Sequence, residues 1–414
     1  MAKPINAFPG YEFILGEDGH MHNMYRGEDI GMGGYIRSNP GIYYNVALLD
    51  VSSMHPSSII ALNYFGKYTD RYAQIKQMRV YIKHGDFDSV RPMFGGKVAK
   101  YLTDERAAAN LAKAAKLPLN QTYGLTAAKF ENPCYDPRNK NNIVALRGAL
   151  FTKTLRDEIE ARGYKFVAIK TDSIKIVEAD KEIIDFCMEF GKKYGYEFEH
   201  EATYSKICQI NDADYIAKIA SPEWCEERYG YAPGENKNHG EEWTATGARF
   251  QAPYIFKSLF SHEPFVFDDY CEVKSVKKGA IYLDRDEALT KTPQLEKELK
   301  KVQKQLKDDP ENQDLINIQE DLKADIAKEH NYIFVGRVGQ FTPVKPGCGG
   351  GVLVCINGDK IGAVSGTKGY RWLESEMVRE LGLEDQIDKE YHRAMVDEAK
   401  ALISQYGDFE AFVA

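Results

Sequence analysis

IYYNVALLDVSSMHPSSII, residues 42–60, is the stretch from which the fold is read. Its first ten residues are an almost unbroken apolar run ending in Asp50 and Val51, the pattern of a strand buried on both faces. A second stretch, YKFVAIKTDSIKIVE at 164–178, carries the complementary signal. Phe166, Ala168 and Lys170 alternate with Val167, Ile169 and Thr171, Asp172 and Ser173 sit at a tight turn, and Ile174, Ile176 and Val177 continue a return strand. This is a β-hairpin tipped by an aspartate. Taken singly, either aspartate is equally well a turn or cap residue. Together, two carboxylates at adjacent strand ends suit a pair of Mg²⁺ ions, with Mn²⁺ as a substitute, because hard cations bind oxygen and offset the charge of a phosphate.

Between the aspartates the chain reads as helices over 67–84, 97–124 and 143–161, the first two joined by the Gly/Pro-containing turn HGDFDSVRPMFGG. Within KLPLNQTYG, Lys116, Asn120 and Tyr123 fall at i, i+4 and i+7, one face of a helix. That face offers a cation to a triphosphate, an amide to a base edge and a ring to a base plane. Arg79 and Lys83 on the preceding helix are again i, i+4, so both reach one phosphate chain.

Composition bounds the reading. Of 414 residues, 43% are hydrophobic and 28% charged, which excludes disordered and fibrous classes. No run approaches a membrane span, and mean hydropathy is −0.47, so a soluble cytoplasmic protein with no membrane partner is expected. The seven Cys are odd in number and never form C-x-x-C, which leaves a zinc site or disulfide framework without support. Neither a Walker A nor a complete G-x-G-x-x-G is present. The net charge of −8 would argue against nucleic acid were it evenly spread, but it is not. Residues 67–156 hold 17 Lys/Arg against 7 Asp/Glu, a net +10, and residues 178–242 hold 7 against 16, a net −9. Counterion release depends on the charges along the phosphate path, so affinity confined to one groove and steeply weakened by salt is expected.

Farther along, Leu295, Leu299, Val302 and Leu306 repeat at helical spacing, Asp308-Asp309-Pro310 breaks the run, and Leu315, Ile318, Leu322 and Ile326 resume it. An antiparallel helical hairpin over 293–329 follows, as a structural arm or docking surface. Residues 331–370 are Gly-rich and β-like, and a final helix is expected over about 371–405.

The order DVSSMHPSSII, KLPLNQTYG, KTDS resembles the three polymerase motifs of family B DNA-dependent DNA polymerases, D-x-x-S-L-Y-P-S-I-I, K-x-x-x-N-S-x-Y-G and Y-x-D-T-D-S. The resemblance covers about 33–290. GIYYNVALLDVSSMHPSSII with KYGYEFEHEATYSKIC looks like the bacteriophage members. It implies an α+β palm–fingers–thumb fold with an antiparallel palm sheet and a helical fingers hairpin. The implied domains are 1–66, palm with the first motif; 67–124, fingers; 125–248, palm with the third motif; and 249–414, thumb and C-terminal module including the 293–329 hairpin. Residue by residue, Asp50 and Asp172 resemble the catalytic, metal-binding carboxylates, and Val51 would lend its carbonyl to a metal. The N–H groups of Ser53, Met54 and His55 would cradle the dNTP triphosphate. Arg79, Lys83 and Lys116 match the cations that grip it, and Asn120 and Tyr123 match the residues flanking the nascent base pair.

Several positions depart from the family. His55 replaces the tyrosine that packs under the sugar and excludes a 2′-OH. Lys170 replaces the first aspartate of D-T-D, where it would repel a metal or contact the primer end, Ala168 replaces the motif's tyrosine, and Gln121 replaces serine. The minor-groove K-K-x-Y motif falls on Asp212-Ala213-Asp214-Tyr215, which keeps Tyr215 alone, with Lys206 and Lys218 as substitutes. Only 49 residues precede Asp50, so proofreading is expected from a separate exonuclease or N-terminal polymerase subunit. The resemblance implies a phage replication enzyme that adds dNMP to the 3′-OH of primer–template DNA by two-metal phosphoryl transfer. Its rivals are a catalytically weakened polymerase-fold scaffold that holds DNA, and a two-metal nuclease.

Overall fold

The computed structural model describes residues 8–128, 130–134, 142–237, 242–247, 250, 257–260 and 264–414. The chain divides into two units, Met1–Ala245 and Thr246–Ala414. In the first, β1 (Tyr11–Leu15), β2 (Met21–Tyr25) and β3 (Glu28–Asp29) form a small antiparallel sheet. The main sheet uses β4 (Ile36–Ser38), β5 (Gly41–Val51), β6 (Phe166–Lys170), β7 (Ser173–Val177), β8 (Phe198–Gln209), β9 (Tyr215–Ile219) and β10 (Trp243–Thr246). Their spatial order is β10–β9–β8–β5–β7–β6–β4, and β5 pairs antiparallel with both β7 and β8.

β5 lies in the middle because its apolar run serves two cores. Ala47, Leu49 and Val51 pack with Ile174, Ile176 and the helical layer, while Val46 and Leu48 pack with Val167, Ala202, Tyr204 and Ile207 on the other face. Each such side chain taken from water contributes about 1.5–3 kcal/mol, which fixes the register of the strand that ends in Asp50.

The helices of this unit are α1 (Met54–Ala61), α2 (Thr69–Lys83), α3 (Phe87–Val90), α4 (Glu105–Thr126), α5 (Ile143–Ala161), α6 (Lys181–Lys193) and α7 (Pro222–Tyr229). The helix expected over 143–161 has those bounds. The one expected from 97 begins instead at Glu105, because Asp104 accepts the Ala107 N–H at 2.8 Å as an N-cap, and a left-handed kink at Phe94–Gly95 and a short 3₁₀ turn at Ala99–Tyr101 precede it. α2 and α4 pack through Met78, Ile82, Ala108 and Ala115, with Leu102 before α4 in the same cluster.

In the second unit, β11 (Glu272–Ser275), β14 (Val338–Val344) and β17 (Arg371–Glu374) form one sheet. β12 (Ala280–Asp284), β13 (Tyr332–Gly336), β15 (Val352–Asn357) and β16 (Lys360–Ala363) form another, in the order β13–β12–β15–β16. Helices Ala288–Asp308 and Gln313–Ala327 pack as the expected hairpin. The single helix expected over 371–405 is corrected to β17 followed by helices Ser375–Glu380 and Lys389–Ser404. Pairing with Phe341–Val344 places Trp372 and Leu373 in this unit's core, and that burial overrides local helix preference. Both units mix helices with antiparallel sheets. No helix among the described residues is long and apolar enough to cross a membrane.

Candidate active site

β5 delivers Asp50 and the β6–β7 hairpin delivers Asp172 to the same end of the main sheet. Asp50 stands opposite Ser173 in the β5–β7 register, and the Val51 N–H donates to the Asp172 carbonyl at 2.8 Å. The tip is held tightly. Thr171 has φ 60°, and the Asp172 N–H donates to the Lys170 carbonyl at 2.8 Å, two residues back. That is a γ-turn of the strained, positive-φ kind, and the Thr171 N–H is tied to the Tyr35 carbonyl at 3.0 Å.

The two carboxyl groups are crowded. Burial, then Asp172, Glu201 and Glu199, push Asp50 up to about 8, with Lys83 acting in the opposite sense. Burial also raises Asp172, partly offset by its own backbone N–H and by His55. Glu199 stands opposite Asp50 on β8, and Glu201 is likewise raised, by burial and by Glu199. Crowded carboxylates short of cationic partners are the oxygen donor set that a hard divalent cation relieves, so Asp50, Asp172 and the Val51 carbonyl fit Mg²⁺ or Mn²⁺. Among the described residues no three His, Cys, Asp or Glu side chains group as a metal cage.

Beside the carboxylates, α1 begins. Its N-cap, Ser53, takes the left-handed conformation (φ 61°, ψ 58°) and makes no side-chain cap. Its hydroxyl instead accepts from Arg79 Nη1 at 3.1 Å. The first-turn N–H groups of a helix have no partner within it, and here that turn begins beside the Arg79 guanidinium, an arrangement suited to a phosphate group. Met54 is locked in the core against Gly148 of α5, where a Cβ would approach its Sδ to 2.7 Å.

His55 stacks on Tyr123 with ring centroids 4.0 Å apart and 14° between planes. Burial lowers the His55 pKa, and its Nδ1 is buried without a partner among the described residues. The Tyr123 hydroxyl donates to Asn142 Oδ1 at 3.2 Å. This stack brings α4 to α1, with Asn120 and Lys116 exposed one and two turns back along it. Neither side chain makes a hydrogen bond or ion pair among the described residues.

Other expected residues sit differently. Lys83 is tied to Glu199 Oε2 at 2.9 Å, so that carboxylate competes with any phosphate for it. Lys170 is exposed and pairs with Ser173 across the hairpin. The ring of Tyr215 is covered by the Lys175 ammonium, 3.9 Å from its centroid. Lys206 and Lys218 pair across β8 and β9, each near the Trp243 ring. Sequence reasoning missed Glu199, Glu201 and Lys175. The E-x-E spacing in Glu197-Phe198-Glu199-His200-Glu201 was a usable signal, since alternate residues share a strand face.

No protein-family model and no curated protein matches the chain. Among solved structures it is similar to the family B DNA polymerase from the hyperthermophilic archaeon Pyrobaculum calidifontis, with a TM-score of 0.43 and 11% identity, over 94% of this chain and 49% of that one. The chain spans about half the length of that polymerase.

Proposed function

We propose that this chain is a template-directed DNA polymerase of the family B kind, acting in bacteriophage DNA replication. The observation that carries the reading is the juxtaposition at one sheet end of Asp50 and Asp172 with the N-terminus of α1, itself anchored to Arg79. In the proposed reaction the primer 3′-oxygen forms a bond to the α-phosphorus of a dNTP. The α–β phosphoanhydride bond breaks, pyrophosphate leaves, and the 3′-OH proton passes to solvent. Two Mg²⁺ ions held by Asp50, Asp172 and the Val51 carbonyl would supply activation of the 3′-OH and neutralisation of the leaving group.

The chain's own groups position the substrates. The Ser53–His55 backbone and Arg79 hold the triphosphate, and Lys116 and a released Lys83 add charge. Asn120 and Tyr123 flank the new base pair, and the His55 ring, backed by Tyr123, lies where a 2′-OH would intrude. A scaffold that holds DNA without turnover is the second reading, favoured by Lys170 in the position of a motif aspartate and by the Lys83–Glu199 pair. Labelled primer–template, dNTPs and Mg²⁺ separate the outcomes. Longer primers support the polymerase, unchanged primers the scaffold, and shorter primers a two-metal nuclease.

A further inference from the structure

Lys76, Lys153, Lys175 and Lys274 are each at least nine-tenths buried. Three of them have carboxylate partners: Lys76 pairs with Glu197, Lys153 with Asp157 and Glu28, and Lys274 with Glu272. The Lys175 side chain, in a residue 6% exposed, makes no hydrogen bond or ion pair among the described residues. Its ammonium lies over the Tyr215 ring at 3.9 Å, a cation–π contact that offsets only part of the cost of burying a charge. Lys170 repels it and Glu201 attracts it from a distance.

Its place on the sheet gives this an orientation. Lys175 stands opposite Leu48 of β5 and Ala168 of β6, while Ser173 stands opposite Asp50 and Lys170. Alternation then puts Lys175 on the same sheet face as Asp50 and Lys170, two residues from Ser173, or about 7 Å of strand. A largely buried lysine with no carboxylate in contact, two residues along the strand from the position opposite Asp50, can take its anionic partner from a ligand.

We propose that Lys175 is a phosphate-binding residue for nucleic acid: seated on Tyr215, its ammonium receives a backbone phosphodiester of the strand whose end is delivered to Asp50 and Asp172. The inference rests on the polymerase reading and adds to it a strand-positioning residue outside the three motif cations. It also changes the role of Tyr215, which becomes the platform beneath the lysine.

The test is equilibrium binding of fluorescent primer–template without Mg²⁺, across a salt series, for the wild type, Lys175→Met and Lys175→Arg. Substrates carry a single neutral methylphosphonate at successive linkages near the primer end. For the wild type, one linkage is expected to cost on the order of tenfold in affinity when neutralised. Lys175→Met is expected to lose that sensitivity and to show a salt slope smaller by about 0.9, one phosphate contact. Lys175→Arg, which keeps the charge, is expected to retain both. Equal losses in wild type and Lys175→Met at every linkage would overturn the proposal and leave Lys175 an internal counter-ion. If circular dichroism shows Lys175→Met unfolded, Lys175→Arg carries the decision, and absence of any sensitive linkage in it overturns the proposal. Binding needs no turnover, so a wild type that binds with this pattern yet never extends the primer overturns the polymerase reading alone. A wild type that binds no primer–template overturns both.

Discussion

His200 lies on β8 between Glu199 and Glu201, and its buried ring makes the acid stability of the first unit predictable. The side chain is 8% exposed, with Nδ1 3.0 Å from the Tyr231 hydroxyl and Nε2 2.9 Å from Thr203 Oγ1. Tyr229 and Tyr231 meet it edge-on. Burial drives its pKa from the ordinary 6.5 down to about 4, against a small opposing contribution from the Ala202 backbone. The folded pKa lies below the unfolded one, so the unfolded chain takes up the proton first as pH falls. Stability is therefore lost progressively from pH 6.5 down to about 4 and then levels off. The full difference is about 3 kcal/mol, and at pH 5 about 2 kcal/mol of it has been lost. Urea unfolding at pH 7 and pH 5, in the wild type and in His200→Gln, reads this directly. Glutamine cannot protonate, so the wild type should lose about 2 kcal/mol more than the variant between the two pH values, whatever constant offset the substitution adds. Equal pH dependence in the two proteins would refute the reasoning.

Arg79→Ala removes the cation held at the start of α1 and should raise KM for dNTP by about ten- to a hundredfold, as expected for a charge-assisted contact, while Lys83→Ala, which also frees Glu199, should raise it less. Steady-state kinetics on one primer–template checks the order of the two effects, and the reverse order counts against the assignment. His55→Ala and Tyr123→Leu each break the 4.0 Å stack and should both lower the preference for dNTP over rNTP, read from the ratio of insertion efficiencies. An unchanged ratio in either would remove the stack from sugar selection. Gly279→Ala should destabilise the second unit by about 3 kcal/mol, because Gly279 has φ +76° and a Cβ there would sit 2.0 Å from the Ile356 carbonyl oxygen. Thermal unfolding within a degree of wild type would contradict that geometry.

How much was legible depended on whether the signal was local. The apolar run before Asp50 and the alternation on both sides of Thr171-Asp172 were enough to foresee a buried strand and a hairpin, because each buries its side chains in a simple periodic way. α5 was legible to the residue, with Gly163 marking its end. Trp372 misled, because Arg371–Glu374 runs directly into helical residues and only pairing with Phe341–Val344 makes it a strand. Lys83 was read as free to reach a phosphate, and the β5–β8 register that brings Glu199 to it spans more than a hundred residues. Lys175 falls between Ile174 and Ile176 in the return strand and went unread. Its burial follows from the second core on that face, which no local pattern announces.

Single-nucleotide primer extension by the wild type, Asp50→Asn and Asp172→Asn in Mg²⁺ tests the central claim most directly, with primer–template binding measured on the same preparations. The account predicts extension by the wild type, none by either variant, and DNA affinity close to wild type in both. Extension by Asp172→Asn at the wild-type rate would contradict it.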